Sequence, residues 1–333
     1  MGSRPSPSAA NARPTVVYWD GGLDVTDATL HAGVALEHVT GKIACRGSCQ
    51  GDELKTEPGH SPLVGNLLIQ DATILKQPFH NLHASLEVPE NRPNTLLLRG
   101  VHCTIFGGEV YGESKVELGP NPAYELNLTG SQIRLEDFAR HNLKPGVKMT
   151  GAAGARLYLT GRGKDIRTLS GNGSLDVPKG RMYELNILVD LLKILNLRVP
   201  DGTAFEEAHA TFSIRGEQVT IQRMDLLGSP VSLGGKGRMK IDGSDLDLEF
   251  YAVWARVMQV LPPIINEIPK EVSKQFLKIK MHGTLGVKVE TVKEPVPILV
   301  EPLKDLLAVM SGKKIGRNSD AMNATNGTTA TGR

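Results

Sequence analysis

LLGSPVSLGGKGRMKIDGSDLDLEF, residues 226–250, alternates apolar and polar side chains within short runs. Val231 and Leu233, then Met239 and Ile241, then Leu246, Leu248 and Phe250 are each separated by Ser, Lys, Asp or Glu, the two-residue period of a strand with one apolar and one wet face. Gly234, Gly235 and Gly237, then Asp242, Gly243, Ser244 and Asp245, fall between the runs. Glycine accepts positive φ and aspartate bonds its own backbone in turns, so the reading is of three short strands joined by hairpins. Just upstream, TFSIRGEQVTIQ (211–222) sets Phe212 and Ile214 before an RGEQ turn and Val219 and Ile221 after it, a further hairpin with the same apolar parity.

The pattern extends outward through most of the chain, with turn signals about every 8 to 12 residues. VVYW (16–19), LDVTDATL (23–30), VALEHVTGKIACRG (34–47), PLVGNLLIQDATI (62–74) and LHASLEV (82–88) open it. TLLLRGVHCTIFGGEVYGESKVEL (95–118) and AYELNLTGSQI (123–133) continue it, and after a short helix in LEDFARHNL it resumes in GARLYLTGRG and LSGNGSLDVPKGRMY. The 36 glycines, 20 prolines and 5% aromatics across 333 residues favour many turns over long helices. The expected fold is mainly β, a long curved antiparallel sheet built of successive hairpins, forming an open groove or half-barrel, with a few amphipathic helices packed on or at the end of it.

Helical periodicity is confined to a few places. MYELNILVDLLKILNL (182–197) has apolar residues at 185, 188, 189, 192 and 195, a stripe that lies on an apolar surface. A second helix, broken at Pro262 and Pro263, is expected over 253–277. PVPILVEPLKDLLAVMSG reads as a Pro-rich linker and a C-terminal helix within 293–312. Residues 1–13 read as a disordered leader and 313–333 as a disordered tail. Between them the expected organisation is a β-rich part over 14–148 and a second β region over 149–292.

Charge and motifs narrow the chemistry. A net charge of +2 from 38 basic and 36 acidic residues gives no field for a phosphate backbone, and aromatics are too sparse for base stacking, so no nucleic-acid partner is expected. No apolar run reaches the 18 or so residues of a membrane span. MGSRPS fits a loose myristoylation pattern at Gly2, but a disordered leader is the preferred reading. Cys45, Cys49 and Cys103 are too few for a disulfide scaffold. Cys45 and Cys49 lack the four ligands of structural zinc, so two small buried residues are preferred to a metal site. His80 and His83 of PFHNLH are three apart, which in a regular strand points them to opposite faces. GRGKDI (161–166) and GGKGRM (234–239) read as turns, since neither completes a nucleotide-binding fingerprint. GSCQG (47–51) has no helix to follow its central cysteine and is no nucleophile elbow. Asp242, Asp245 and Asp247 lack the ligand count of a calcium loop. Neither a metal nor any other cofactor, nor a catalytic constellation, is expected.

LSGNGSLDVPKGRMYELNILVDLLKIL, then FEEAHATFSIRGEQVTIQRMDLLGSPVSLGGKGRMKIDGSDLDLEF, then LKIKMHGTLGVKV resembles, in order, spacing and residue type, the C-terminal region of the AsmA-like family. A strand pair precedes an amphipathic helix, followed by two further hairpins and a closing Gly-Thr strand, over roughly residues 150–292. The resemblance implies a long β-groove with an apolar inner face through which lipids pass between bacterial envelope membranes, on the periplasmic side. On that reading the partners are phospholipid acyl chains, with membrane association and no enzymatic activity. The candidate groove residues, assigned by parity, are Phe212, Ile214, Val219, Ile221, Val231, Leu233, Met239, Ile241, Leu246, Leu248 and Phe250. The competing expectation is a structural or adaptor β-domain whose apolar face packs internally and whose sheet edges bind protein partners.

Overall fold

A computed structural model describes residues 15–32, 34–50, 53–54, 62–74, 76–142, 149–181, 205–229, 231–254, 276–284, 288–296 and 300–310. The chain is mainly β: among the described residues, 17 strands belong to an open antiparallel sheet built of successive hairpins. Two compact units divide the described residues. The first takes those up to Ile133 together with Arg156–Gly171; the second takes Arg134–Ala155 and those from Asn172 onward.

The first unit is a meander. Strand β1 (Val17–Ala32) pairs with β2 (Val34–Gln50), which pairs with the short β3 (Glu53–Leu54) and with β4 (Leu63–Ile74). Strands β5 (Gln77–Val88), β6 (Thr95–Ile105), β7 (Gly108–Glu117) and β8 (Ala123–Arg134) follow, each antiparallel to the one before. Register carries one apolar row across several strands: Leu23 faces Ile43, Ile43 faces Leu67 and Leu67 faces Ala84. The runs VVYW and LDVTDATL join through Gly21 and Gly22 into the single long β1.

Alternation resets at residues in the left-handed region. Asp27, His38 and Asn81 have φ of 51°, 54° and 54°, a conformation that Asp, Asn and His tolerate better than most residues. The β1–β2 and β2–β4 registers shift beside Asp27 and His38. Each such bulge inserts a residue, bends the strand and raises its twist. A buried cluster of Val39, Ile69, Ala72, Phe79 and Cys103 forms beside them.

The second unit contains helix α1 (Leu135–Asn142), the first half of β9 (Thr150–Arg162), most of β10 (Ser170–Val177) and β11 (Gly180–Arg181). Strands β12 (Glu207–Arg215), β13 (Gln218–Leu227), β14 (Val231–Lys240), β15 (Leu246–Trp254), β16 (Phe276–Thr284) and β17 (Lys288–Pro295) then pair in sequence order, and helix α2 (Glu301–Met310) closes the described chain. The RGEQ and DGSD turns form as read, with positive φ at Gly216, Gly243 and Asp245.

Other expectations are corrected. Gly234, Gly235 and Gly237 do not separate strands; they sit inside the ten-residue β14. Their role is packing: a side chain at Gly234 would press on Leu306 of α2, and one at Gly235 would collide with the Phe250 ring and the Glu249 carbonyl. Val253 and Trp254 end β15 and Phe276 and Leu277 begin β16, so the expected helix does not reach the ends of 253–277. Its residues 255–275 lie outside the described residues, as do the helix expected over 182–197, the leader and the tail. Residues 293–295, expected in a linker, complete β17, while the C-terminal helix forms as α2.

Replacing Gly235 by Ala should therefore lower the urea stability by about 1–3 kcal/mol through overpacking. Gly21→Ala, where no atom lies within 4 Å of the added methyl, should change it by no more than about 0.5 kcal/mol.

Candidate functional site

The register of the second unit places the sequence-assigned residues together. Ile214 faces Val219 and Val219 faces Met239; Phe212 faces Ile221, which faces Gly237, which faces Leu248. Gly235 faces Phe250, Phe250 faces Ile279 and Leu248 faces Met281. Val231, Leu233, Met239, Leu246, Leu248 and Phe250 therefore share one face with Phe212, Ile214, Val219 and Ile221. Ile241 lies just past β14 in the turn, where its amide donates to the Glu217 carbonyl at 2.9 Å.

Burial divides this set. Val231 and Leu233 are fully enclosed, and Ile221, Leu246, Leu248 and Phe250 nearly so. Their neighbours Ala252, Ile279 and Met281 are fully buried too. Phe212, Ile214, Val219, Met239 and Ile241, towards the turn end, are half-buried. The opposite face of β14–β16 carries α2, whose Leu303, Leu306 and Leu307 pack on Tyr251, Val253 and Phe276. With both faces covered, β15 reads LDLEFYAVW, apolar almost without interruption at its end, as buried strands do. Alternation was a guide to the face, but its parity carries no information about what covers that face.

A charged network lies on the helix-bearing side. Asp225, opposite Gly234 and nearly buried, binds Arg223 at 2.6 Å. Burial raises its carboxyl above the ordinary range, against the pull of Arg223 and of His209; Asp305 of α2 raises it further. His209 in turn meets Asp176 at 2.6 Å. Beside it Lys278 binds Glu249 at 2.6 Å, and Tyr251 donates its hydroxyl to Glu249 at 2.5 Å. Burial pushes the Tyr251 phenol strongly upward, with Glu249 adding to the effect. Asp225 is nearly buried, Lys278 and Glu249 are mostly buried, and His209 and Asp176 are more open to solvent.

The first unit has an apolar face of different character. Leu23, 57% exposed, begins the row through Ile43 and Leu67, the latter two half-buried. Trp19 lies across Gly47, where a side chain would strike its ring. Farther along, Leu96 faces Val116, Leu98 faces Ser114, Ser114 faces Leu126, and Gly112 faces Leu128. All of these leucines, and Val116, are half-buried. Both helices with described residues, α1 and α2, belong to the second unit; the first has only a 3-10 turn at Ile166–Thr168. Among the described residues, then, no helix of the first unit covers this face. Alternation is unbroken at Leu23 and along β7–β8, but these residues lie outside 212–250, the stretch from which the sequence candidates were drawn.

The remaining sequence candidates fall into place. His80 and His83 do not point apart: Asn81, with its positive φ, inserts a residue, so Phe79 and Leu82 both pack toward the apolar cluster while both imidazoles are exposed. His80 meets Asp71 at 2.6 Å, and His83 stacks on His102, which stacks on Tyr111 at 4.8 Å and bonds Glu109. The cross-strand row was hidden because its members lie far apart in sequence. GSCQG runs as strand through residue 50. The GRGKDI segment ends β9 and turns at Gly163, with Asp165 capping the 3-10 turn, whereas GGKGRM is strand. Cys45, Cys49 and Cys103 are free; burial pushes the Cys103 thiol up to about 11 and raises that of Cys45. Among the described residues no group of three or more His, Cys, Asp or Glu is placed to hold a metal ion. No described helix is long and apolar enough to cross a membrane.

No family model, curated protein or solved structure matches the chain.

One titration follows from the geometry. The Asp27 hydrogen bond at 2.8 Å, with its charge, raises His38 above 6.5. A raised imidazole favours the fold while protonated, fully below the unfolded value and no longer once pH passes the folded one. Asp27→Asn keeps a residue that tolerates positive φ. Its melting temperature should fall further below wild type at about pH 5.5 than at about pH 8.5.

Proposed function

We propose that this protein is a non-enzymatic lipid-binding protein of the bacterial envelope, which holds phospholipid acyl chains against an apolar β-face and passes them between membranes. The observation that carries the reading is the apolar face of the first unit: rows from Leu23 through Ile43 to Leu67, and from Leu96 through Leu128, over which no described helix of that unit lies. Apolar surface of this extent is covered in a stable protein by other protein or by ligand. Hydrocarbon meets the requirement without polar anchors, at about 25 cal/mol per Å² buried. The resemblance to the AsmA-like C-terminal region supports the same reading and supplies the periplasmic setting and membrane association.

The deep burial of Val231, Leu233, Leu248 and Phe250 favours a second reading for the second unit, that of a β-domain closed by its own packing and serving as a structural or adaptor element. In this division of roles the lipid lies on the first unit, and the buried strands of the second supply rigidity.

The test is to purify the intact chain without detergent and weigh extractable phospholipid by mass spectrometry. Stoichiometric lipid is expected, and a folded lipid-free protein would contradict the reading. Val17→Asp with Leu23→Asp, both at exposed positions, should leave the fold intact and weaken lipid binding at least about tenfold, since each lost side chain is worth about 1.5 kcal/mol of burial. Leu233→Asp with Leu248→Asp should instead unfold the second unit, because each places an unpaired charge in a closed core.

A further inference from the structure

Among the described residues β1 pairs only with β2, so no described strand pairs with the other side of this 16-residue strand. Edge strands are ordinarily blunted by Lys, Pro, short length or a bulge. β1 contains no Lys, Arg or Pro, and its bulge comes late, beyond Val25. The stretch Val17–Val25 is therefore a regular edge, and it carries exposed apolar groups: Val17 is 53% and Tyr18 65% exposed, with Trp19 and Leu23 beside them.

We propose that β1 is a docking edge for an extended basic segment of another protein, which adds as a strand along Val17–Val25. Its apolar residues lie beside Trp19 and Leu23, and its lysines or arginines beside Asp20 and Asp24. The charges of β1 and β2 specify this occupant. Asp20 stands opposite Arg46, and Asp24 opposite Lys42, which it binds at 3.1 Å. Two cross-strand rows thus run from cation on β2 to anion on β1, and the next place in each row favours a cation.

The same charges disfavour a second copy. A symmetric β1–β1 pairing centred on Gly22 would set Asp20 directly against Asp24 of the partner copy, and like charges directly opposite are destabilising. The other free edge of the described sheet, β17, carries Glu290 and Glu294 on one face, at the same spacing as Asp20 and Asp24. Its opposite face would bring Lys293 to the side of Trp19 and Leu23. Neither arrangement complements β1. The proposal goes beyond lipid binding and does not rest on it, since backbone pairing at the edge is independent of what fills the face.

The test uses the intact chain and two synthetic peptides, KVKVTVKVK and EVEVTVEVE, followed by calorimetry and by amide hydrogen exchange. The lysine peptide should bind at least about tenfold more tightly than the glutamate peptide, a difference of about 1.4 kcal/mol, and should slow exchange of alternate amides within Val17–Val25. Asp20→Asn with Asp24→Asn should abolish the preference, and Asp20→Lys with Asp24→Lys should reverse it. Equal binding of both peptides, protection elsewhere, or a preference unchanged in both variants would overturn the proposal. Sedimentation at the same concentrations should show a monomer; a dimer with β1 amides protected would assign the edge to a second copy instead.

Discussion

A strand's side chains alternate between faces with a period of two, and the hydrogen-bonded ladder carries that alternation from strand to strand. Everything else in this protein depends on that constraint. Because Val219 faces both Ile214 and Met239, three residues drawn from 26 positions of sequence share one face. A slip of one residue would turn Leu233 and Phe250 to the other side and bring Ser232 and Glu249 in their place. At three places where the alternation changes in the first unit, the inserted residue has positive φ and is Asp27, His38 or Asn81, side chains that tolerate it.

The two units resolve the same amphipathic pattern differently. In the second, α2 lays Leu303, Leu306 and Leu307 on Tyr251, Val253 and Phe276, and Gly234 leaves room for the helix to approach. The opposite face of the same strands is closed as well, so β14–β16 behave as core. In the first, Val39, Ile69 and Phe79 close on one another near the bulges, while Leu23, Ile43 and Leu98 remain partly open. The apolar side chains left partly exposed are thus those of the first unit, while Leu233, Leu248 and Phe250 of the second are enclosed.

Much of the fold was legible in the sequence because period-two alternation and Gly/Asp turns are local signals. The RGEQ and DGSD hairpins and the C-terminal helix needed only their own residues to be read. The glycines of β14 misled because a glycine required by a neighbour's bulk, Phe250 or Leu306, looks the same as a glycine required by a turn. His80 and His83 misled for a related reason: the positive φ of Asn81 is invisible to parity, yet it decides which way both rings point. The face of the site residues was readable, since parity is local. Their burial was not, because it depends on segments distant in sequence, and this is why the open surface lies at Leu23 and Leu98 instead of Leu233.

The most direct measurement is photo-crosslinking in living cells, with a photoreactive amino acid placed at Leu23, Leu126, Leu233 or Leu248, followed by mass spectrometry of the adducts. The account predicts phospholipid adducts at positions 23 and 126 and none at 233 and 248. Adducts at 233 and 248 but not at 23 and 126, or adducts to protein alone at all four, would contradict it.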